Sequence, residues 1–140
     1  FGVKLKLNAL RDIVKGKRIV VIDDSIVRAT TGRKIIKMLR QYGAKEIHFR
    51  VSSPDTMYPC FYGIDTPSRS QLIAASHTPE EINRYMGSDS LHYLTIESMR
   101  KALGKGEYTY CDACFSGAYP SRFPWGMELE QMELFAKGEK

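Results

Sequence analysis

Arg18-Ile-Val-Val-Ile-Asp-Asp-Ser-Ile-Val-Arg-Ala-Thr-Thr-Gly32 is the stretch that decides the fold. Its opening, Arg18 to Ile22, is a continuous β-branched run of the kind found in strands covered on both faces. A polar loop follows. Ile35, Met38, Leu39 and Tyr42 then recur at helical spacing, and Gly43 supplies a C-terminal cap. Glu46 to Ser52 reads as a second strand. Strand, helix and strand in succession make a parallel crossover unit, so the fold class is α/β with a mostly parallel sheet flanked by helices.

Upstream, residues 1–17 are basic and polar and read as a linker or short helix. Downstream, Thr66-Pro67 has the pattern of a helix cap with Pro at the first helical position, leading into Leu72-Ile73. Thr78-Pro-Glu-Glu81 is a capping box for a helix through Ile82, Tyr85 and Met86 that Gly87 stops. Tyr42, Tyr85 and Met86 read as core. Leu91 to Leu94 suits a short strand, and Thr95 caps a helix through Ile96, Met99 and Leu103. From Gly104 the composition shifts to Gly, Tyr, Cys and Pro, and an amphipathic stretch with Met132 and Phe135 ends the chain. The expected organisation is therefore a sheet domain over 1–104 and an irregular or helical, cysteine-bearing tail over 105–140.

The chemistry concentrates in residues 23–31. Asp23 and Asp24 follow a strand at its carboxyl end, where open α/β sheets bind ligands. Carboxylates there accept hydrogen bonds from sugar hydroxyls or reach Mg²⁺ through water. Residues 27–31 enter a helix N-terminus, whose amides and dipole favour a phosphate, and Ser25, Thr30 and Thr31 add hydroxyl donors. A diol site beside a monophosphate site describes a ribose 5-phosphate. The bland alternative is a plain strand-turn-helix with Asp24 or Thr31 as its cap; two carboxylates, three hydroxyls and Arg28 within nine residues exceed what a cap needs.

The formal net charge of +5 also points to anionic partners. The basic residues are scattered, without interleaved aromatics or a nucleic-acid motif, so no nucleic-acid partner is expected. No apolar stretch reaches the roughly 20 residues of a membrane helix, so no membrane partner is expected either. Cys60, Cys111 and Cys114 are odd in number, which argues against a disulfide framework and for a reducing, cytoplasmic location. Cys111-x-x-Cys114 with a remote Cys60 is a metal-ligand pattern one member short, and a zinc site completed by His or water or a redox dithiol are readings it leaves open. His48, His77 and His92 have no partner at ligand or triad spacing and read as packed or surface residues. The chain starts at Phe1 rather than Met, which suggests a processed product or a piece of a longer protein.

Val21-Ile-Asp-Asp-Ser-Ile-Val-Arg-Ala-Thr-Thr31 resembles the phosphoribosyl diphosphate (PRPP) loop of type I phosphoribosyltransferases, in the form found in the glutamine PRPP amidotransferases. Three further segments are similar to that family, in its order. They are Lys6-Leu-Asn8, then Ser52-Ser-Pro54 with Pro59-Cys-Phe-Tyr-Gly-Ile-Asp65, and finally Cys111-Asp-Ala-Cys-Phe-Ser-Gly-Ala-Tyr-Pro120. The resemblance implies part of a type I phosphoribosyltransferase-like domain. It also implies the activity that makes 5-phosphoribosylamine from PRPP and glutamine, at the entry to purine synthesis. Asp23 and Asp24 would hold the ribose hydroxyls and Mg²⁺, and Ser25, Val27, Arg28, Ala29, Thr30 and Thr31 would complete the PRPP site. Lys6 becomes a candidate for diphosphate contact. Cys60, Cys111 and Cys114 would be three ligands of a [4Fe–4S] cluster whose fourth cysteine lies outside this chain. A glutaminase domain of the parent chain and further copies in a homo-oligomer are the implied partners, and 140 residues alone are expected to lack turnover. A non-catalytic PRPP-binding regulatory module, or a metal-stabilised interaction domain with a structural Asp pair, are the rival readings. One departure stands out: the family usually has Gly where this sequence has Ala29. If that backbone is left-handed, the methyl group strains it by about 1 kcal/mol or more.

Overall fold

The computed structural model describes residues 9–104 and 110–121. The order is α1 (Arg11–Val14), β1 (Arg18–Asp23), α2 (Thr30–Gln41), β2 (Glu46–Val51), two 3-10 turns (Arg69–Gln71 and Ile73–Ala75), α3 (Pro79–Met86), β3 (Ser90–Tyr93), α4 (Ile96–Leu103) and α5 (Ala113–Ser116). The strands form one parallel sheet in the order β1-β2-β3. Arg18 pairs with Glu46 and Asp23 with Val51 at the two ends of the first ladder. The expected α/β architecture, with parallel strands flanked by helices, is what forms. Among the described residues no helix is long and apolar enough to cross a membrane.

The core lies on one face of this sheet. Ile47, Phe49 and Val51 alternate along β2 and bury fully against Ile36 and Leu39 of α2, Ile82 and Met86 of α3, and Leu91 of β3. The period of two on the strand and the apolar stripe on each helix meet there. Burial of both faces of β1 does not occur. Val20 is 59% and Ile22 74% exposed, because β1 is an edge strand here and its second face meets no other described element. A continuous apolar run records that a strand tolerates cover, and not whether these residues provide it.

That open face carries a polar network instead. His48 Nδ1 lies 2.9 Å from Ser90 Oγ and its Nε2 3.1 Å from Glu46 Oε2. Arg50 also donates to Ser90 Oγ, and Arg18 to Glu46. His48 is a packed residue of this network, as expected, and its partners come from its own strand two residues back and from a strand 42 residues on. The hydrogen bond from His48 lowers the Glu46 pKa, with Arg18 adding to the effect.

The capping box is realised. The Thr78 hydroxyl accepts from Glu81 N, Thr78 N donates to Glu81 Oε2, and Gly87 closes α3 at φ 79°. Thr95 likewise accepts from Ser98 N to start α4. The helix expected after Thr66-Pro67 does not form; the two 3-10 turns stand there instead, and the Thr66 hydroxyl accepts from Cys60 N at 2.7 Å. Tyr85 is not core; it is 42% exposed, with the Arg33 guanidinium 4.6 Å from its ring centre. Asp89 splices β3 to β2, its carboxylate accepting from Ile47 N and Arg40, each at 2.6 Å. The Ile47 amide, ahead of Arg40, holds that carboxyl below its ordinary pKa. Tyr93 ends β3 with a buried hydroxyl that has no hydrogen-bond partner. Burial, and then the charge of Asp55, keep it a neutral phenol.

Candidate functional site

β1 delivers its last residue, Asp23, to the carboxyl edge of the sheet. The Ser52 amide and hydroxyl both donate to the Asp23 carbonyl, at 2.9 and 3.2 Å, and so tie the ends of β1 and β2 together. The chain then leaves the sheet, drops Ile26 into the core, and enters α2 at Thr30. Residues 23–32 enclose a cavity of about 290 Å³. Every expected PRPP-site residue, namely Asp23, Asp24, Ser25, Val27, Arg28, Ala29, Thr30 and Thr31, lines it.

The carboxylates organise themselves locally. Asp24 N donates to Asp23 Oδ1 at 3.0 Å and the Ser25 hydroxyl to Asp24 Oδ1 at 3.2 Å. Among the described residues neither carboxylate is in an ion pair. Two adjacent charges left uncompensated at a cavity are an electrostatic arrangement that a cation or several hydroxyl donors would relieve. At the other side of the cavity, α2 begins without a side-chain cap and without an acidic residue in its first turn. The first helical bond runs from Arg33 N to Ala29 O at 2.9 Å. The amides ahead of it have no intrahelical acceptor, and the dipole adds positive potential, so this end favours an anion. The bland alternative, a helix capped by Asp24 or Thr31, does not form; Ala29 holds the N-cap position without a side-chain cap.

Ala29 sits at φ 57°, ψ −2°, the one non-glycine at positive φ among the described residues. The left-handed strain expected on replacing Gly is therefore present, at about 1–2 kcal/mol. Its methyl is buried among the core residues, which returns part of that cost. We expect Ala29→Gly to leave stability within about 1 kcal/mol, since strain relief is offset by lost burial and a more flexible unfolded chain. Ala29→Val should cost about 3 kcal/mol, because a β-branched residue fits neither the dihedral nor the packed site. Urea denaturation of both variants checks this, and equal midpoints would refute it.

Arg28 is exposed but held by a side-chain partner. Its Nε and Nη2 both donate to Gln71 Oε1 in the first 3-10 turn. Nothing in the sequence signalled this contact, which spans 43 residues. Lys6, with the Lys6-Leu-Asn8 segment, lies outside the described residues, as do Met132 and Phe135.

The cysteines share a second neighbourhood. Met57 N and Tyr58 N both donate to Cys114 O at 3.1 Å, and Tyr119 Oη donates to Pro59 O at 2.6 Å, so residues 110–121 fold back on 57–62. Arg100 of α4 donates through Nε and Nη2 to Asp112, between the two cysteines, at 2.9 and 2.7 Å. Burial would raise the Asp112 pKa, but Arg100 and Ser116 outweigh it and hold it low. Tyr62 N donates to Cys60 Sγ at 3.4 Å. The Cys114 thiol is pushed up by burial, and further by the nearby Cys60 and Cys111. Burial, and then the Cys114 and Cys60 thiols, push Tyr119 up to about 12. All three cysteines are free, and among the described residues no three His, Cys, Asp or Glu side chains are arranged to hold a metal ion. The donor set is thus right in type for a soft metal centre and short in number for a four-thiolate cluster.

No family model matches the sequence. Over 120 residues, 86% of this chain, it is 52% identical to amidophosphoribosyltransferase 1, chloroplastic, of Arabidopsis thaliana, of which it covers 21%. Over 133 residues, 95% of this chain, it is 52% identical to the amidophosphoribosyltransferase of Synechococcus elongatus, covering 27% of it. Among solved structures, the glutamine phosphoribosylpyrophosphate (PRPP) amidotransferase from B. subtilis complexed with ADP and GMP matches with a TM-score of 0.77 at 45% identity, over 89% of this chain and 28% of that one. The chain spans about a quarter of the length of the curated relatives it matches. With this identity over most of its length, and the same arrangement of strands and helices, the chain is homologous to one segment of the amidophosphoribosyltransferases.

Proposed function

We propose that this chain forms the PRPP-holding part of an amidophosphoribosyltransferase that makes 5-phosphoribosylamine from PRPP and glutamine in the first step of purine biosynthesis. The observation that carries the reading is one cavity with two unpaired carboxylates at one side and an uncapped helix start at the other. Residues 27–31 would hold the 5-phosphate through backbone amides and the hydroxyls of Thr30 and Thr31. Asp23 and Asp24 would accept from the ribose hydroxyls and hold a hydrated Mg²⁺, which would screen the diphosphate. As pyrophosphate leaves the anomeric carbon and ammonia attacks, positive charge develops on the ribose, and two fixed carboxylates nearby stabilise it. Ammonia would come from a glutaminase domain of the parent chain, and the assembled enzyme would be a homo-oligomer.

Cys60, Cys111 and Cys114 would hold three corners of a [4Fe–4S] cluster. A fourth thiolate from outside these 140 residues would complete it. Its role would be structural, fastening residues 110–121 to the sheet domain. Free thiols of this kind suit a reducing compartment, and we assign the cytoplasm. In the full-length parent chain, which supplies the fourth thiolate, anaerobic reconstitution with iron and sulfide should load iron in the wild type and lose it in Cys114→Ser; equal iron in both would remove the cysteines from the site.

Titration of PRPP with Mg²⁺ into the purified chain, followed by calorimetry, tests the central reading. Saturable binding is expected. A folded sample that binds no PRPP would favour an interaction domain whose Asp pair is structural.

A further inference from the structure

Between the two neighbourhoods runs an unbroken series of contacts. Gly117 closes α5 at φ 74°, and a Cβ built there would lie 2.9 Å from Tyr58 Cζ and 3.0 Å from its Cε2. The Tyr58 ring therefore rests directly on that glycine, while its amide donates to Cys114 O at 3.1 Å. The Arg69 guanidinium stands 4.9 Å from the centre of the same ring. Two residues further along the 3-10 turn, Gln71 Oε1 accepts two N–H groups from Arg28. Ile73 N donates to Val27 O at 2.9 Å, and Leu72 between them is fully buried. The turn Arg69–Gln71 thus meets Tyr58, which packs on the cysteine segment, on one side and the phosphate loop on the other.

We propose that Gln71 is a positioning residue for the phosphate loop, and that Tyr58 and Arg69 couple this loop to the cysteine segment. The inference rests on the anion-binding reading of residues 27–31 given above.

The chemistry of the amide side chain carries the first part. A flexible Arg loses rotamer freedom when it must meet a ligand. Gln71 fixes the guanidinium in advance by accepting two of its five N–H groups. Being neutral, it leaves the positive charge of Arg28 uncompensated and its remaining donors available for an anion. A carboxylate at 71 would fix Arg28 equally well and cancel that charge. The second part follows from packing. Displacing Tyr58 from Gly117 moves the partner of Arg69, and the turn that carries Arg69 also carries Gln71. Contiguity alone does not establish coupling; a double-mutant cycle does.

The test uses the 140-residue chain with ribose 5-phosphate as probe, read by calorimetry, and amide hydrogen exchange of residues 27–31 without ligand. Gln71→Glu should weaken ribose 5-phosphate binding about tenfold with unchanged loop exchange, whereas Gln71→Ala should weaken it less and speed that exchange. Gly117→Ala should speed exchange of the same amides, and the effects of Gly117→Ala and Gln71→Ala should be less than additive. Should Gly117→Ala fail to fold, Tyr58→Leu, which keeps apolar volume and removes the ring from Arg69, takes its place. Loop exchange that ignores Gly117→Ala and Tyr58→Leu, or strictly additive effects, overturns the coupling. Equal affinity in Gln71→Glu and wild type overturns the positioning role. If the wild type binds no ribose 5-phosphate, the positioning role fails with the anion-binding reading, while a loop-exchange response to Gly117→Ala would still uphold the coupling.

Discussion

Replacing Asp23 and Asp24 together by Asn should weaken PRPP binding in the presence of Mg²⁺ by at least about 100-fold, with the melting temperature nearly unchanged. Charge-assisted hydrogen bonds are worth roughly 1.5–3 kcal/mol each, so losing two costs about 3–6 kcal/mol, or two decades or more in Kd. The fold should not notice. Both carboxylates bond only to their immediate neighbours, Asp24 N and the Ser25 hydroxyl, and an amide oxygen can accept in either place. Neither is in an ion pair among the described residues, so removing two like charges even relieves local repulsion. Calorimetric titration of the double variant beside the wild type decides it. A Kd within threefold of wild type would show that the pair is structural.

Phe49→Ala should destabilise the chain by about 3–5 kcal/mol, the range for a large aromatic removed from a tight core. Phe49 has no exposed surface. It is the central residue of the middle strand, paired with Val21 on one side and Leu91 on the other. Its ring tip also lies 3.4 Å from where a Cβ on Gly32 would stand, so it braces the first turn of α2 from below. Neighbours from two strands and a helix cannot all collapse into the space it leaves. Small domains have 5–15 kcal/mol in total, so this one change removes a large share. The urea midpoint should fall with an unchanged slope. A loss under about 1.5 kcal/mol would mean that Phe49 is not the centre of the core.

The parts of this architecture legible in the sequence are those written locally. The β1-α2-β2 unit, the Thr78 capping box and the Asp23–Thr31 loop are each specified by residues within one or two turns of one another. So is the left-handed strain at Ala29, once that position is known to want Gly. What could not be read depends on distant residues or on missing cover. Arg28 and Gln71 meet across 43 positions, and His48 and Ser90 across 42, with no periodicity to announce either contact. Thr66-Pro67 had the local grammar of a helix start, but its hydroxyl turns back to accept from Cys60 N, and no helix follows. Tyr85 sits at core spacing on α3, yet its ring meets Arg33 rather than the sheet. The exposed face of β1 is the same kind of miss: a strand's own residues describe its tolerance for neighbours and not their presence.

The register of the sheet has a consequence for how the molecule assembles itself. Pairing β1 with β2 joins residues 28 positions apart, and β2 with β3 joins residues 42 apart. The difference in loop-closure entropy is small, about 0.4 kcal/mol. The first ladder aligns six residue pairs and the second four, so closing β1 on β2 gives more contact for less entropy. Such non-local pairings fold slowly compared with hairpins. On this arithmetic the crossover that contains residues 23–31 is the expected nucleus, with the Asp23–Thr31 loop taking shape before the cysteine segment has a surface to land on.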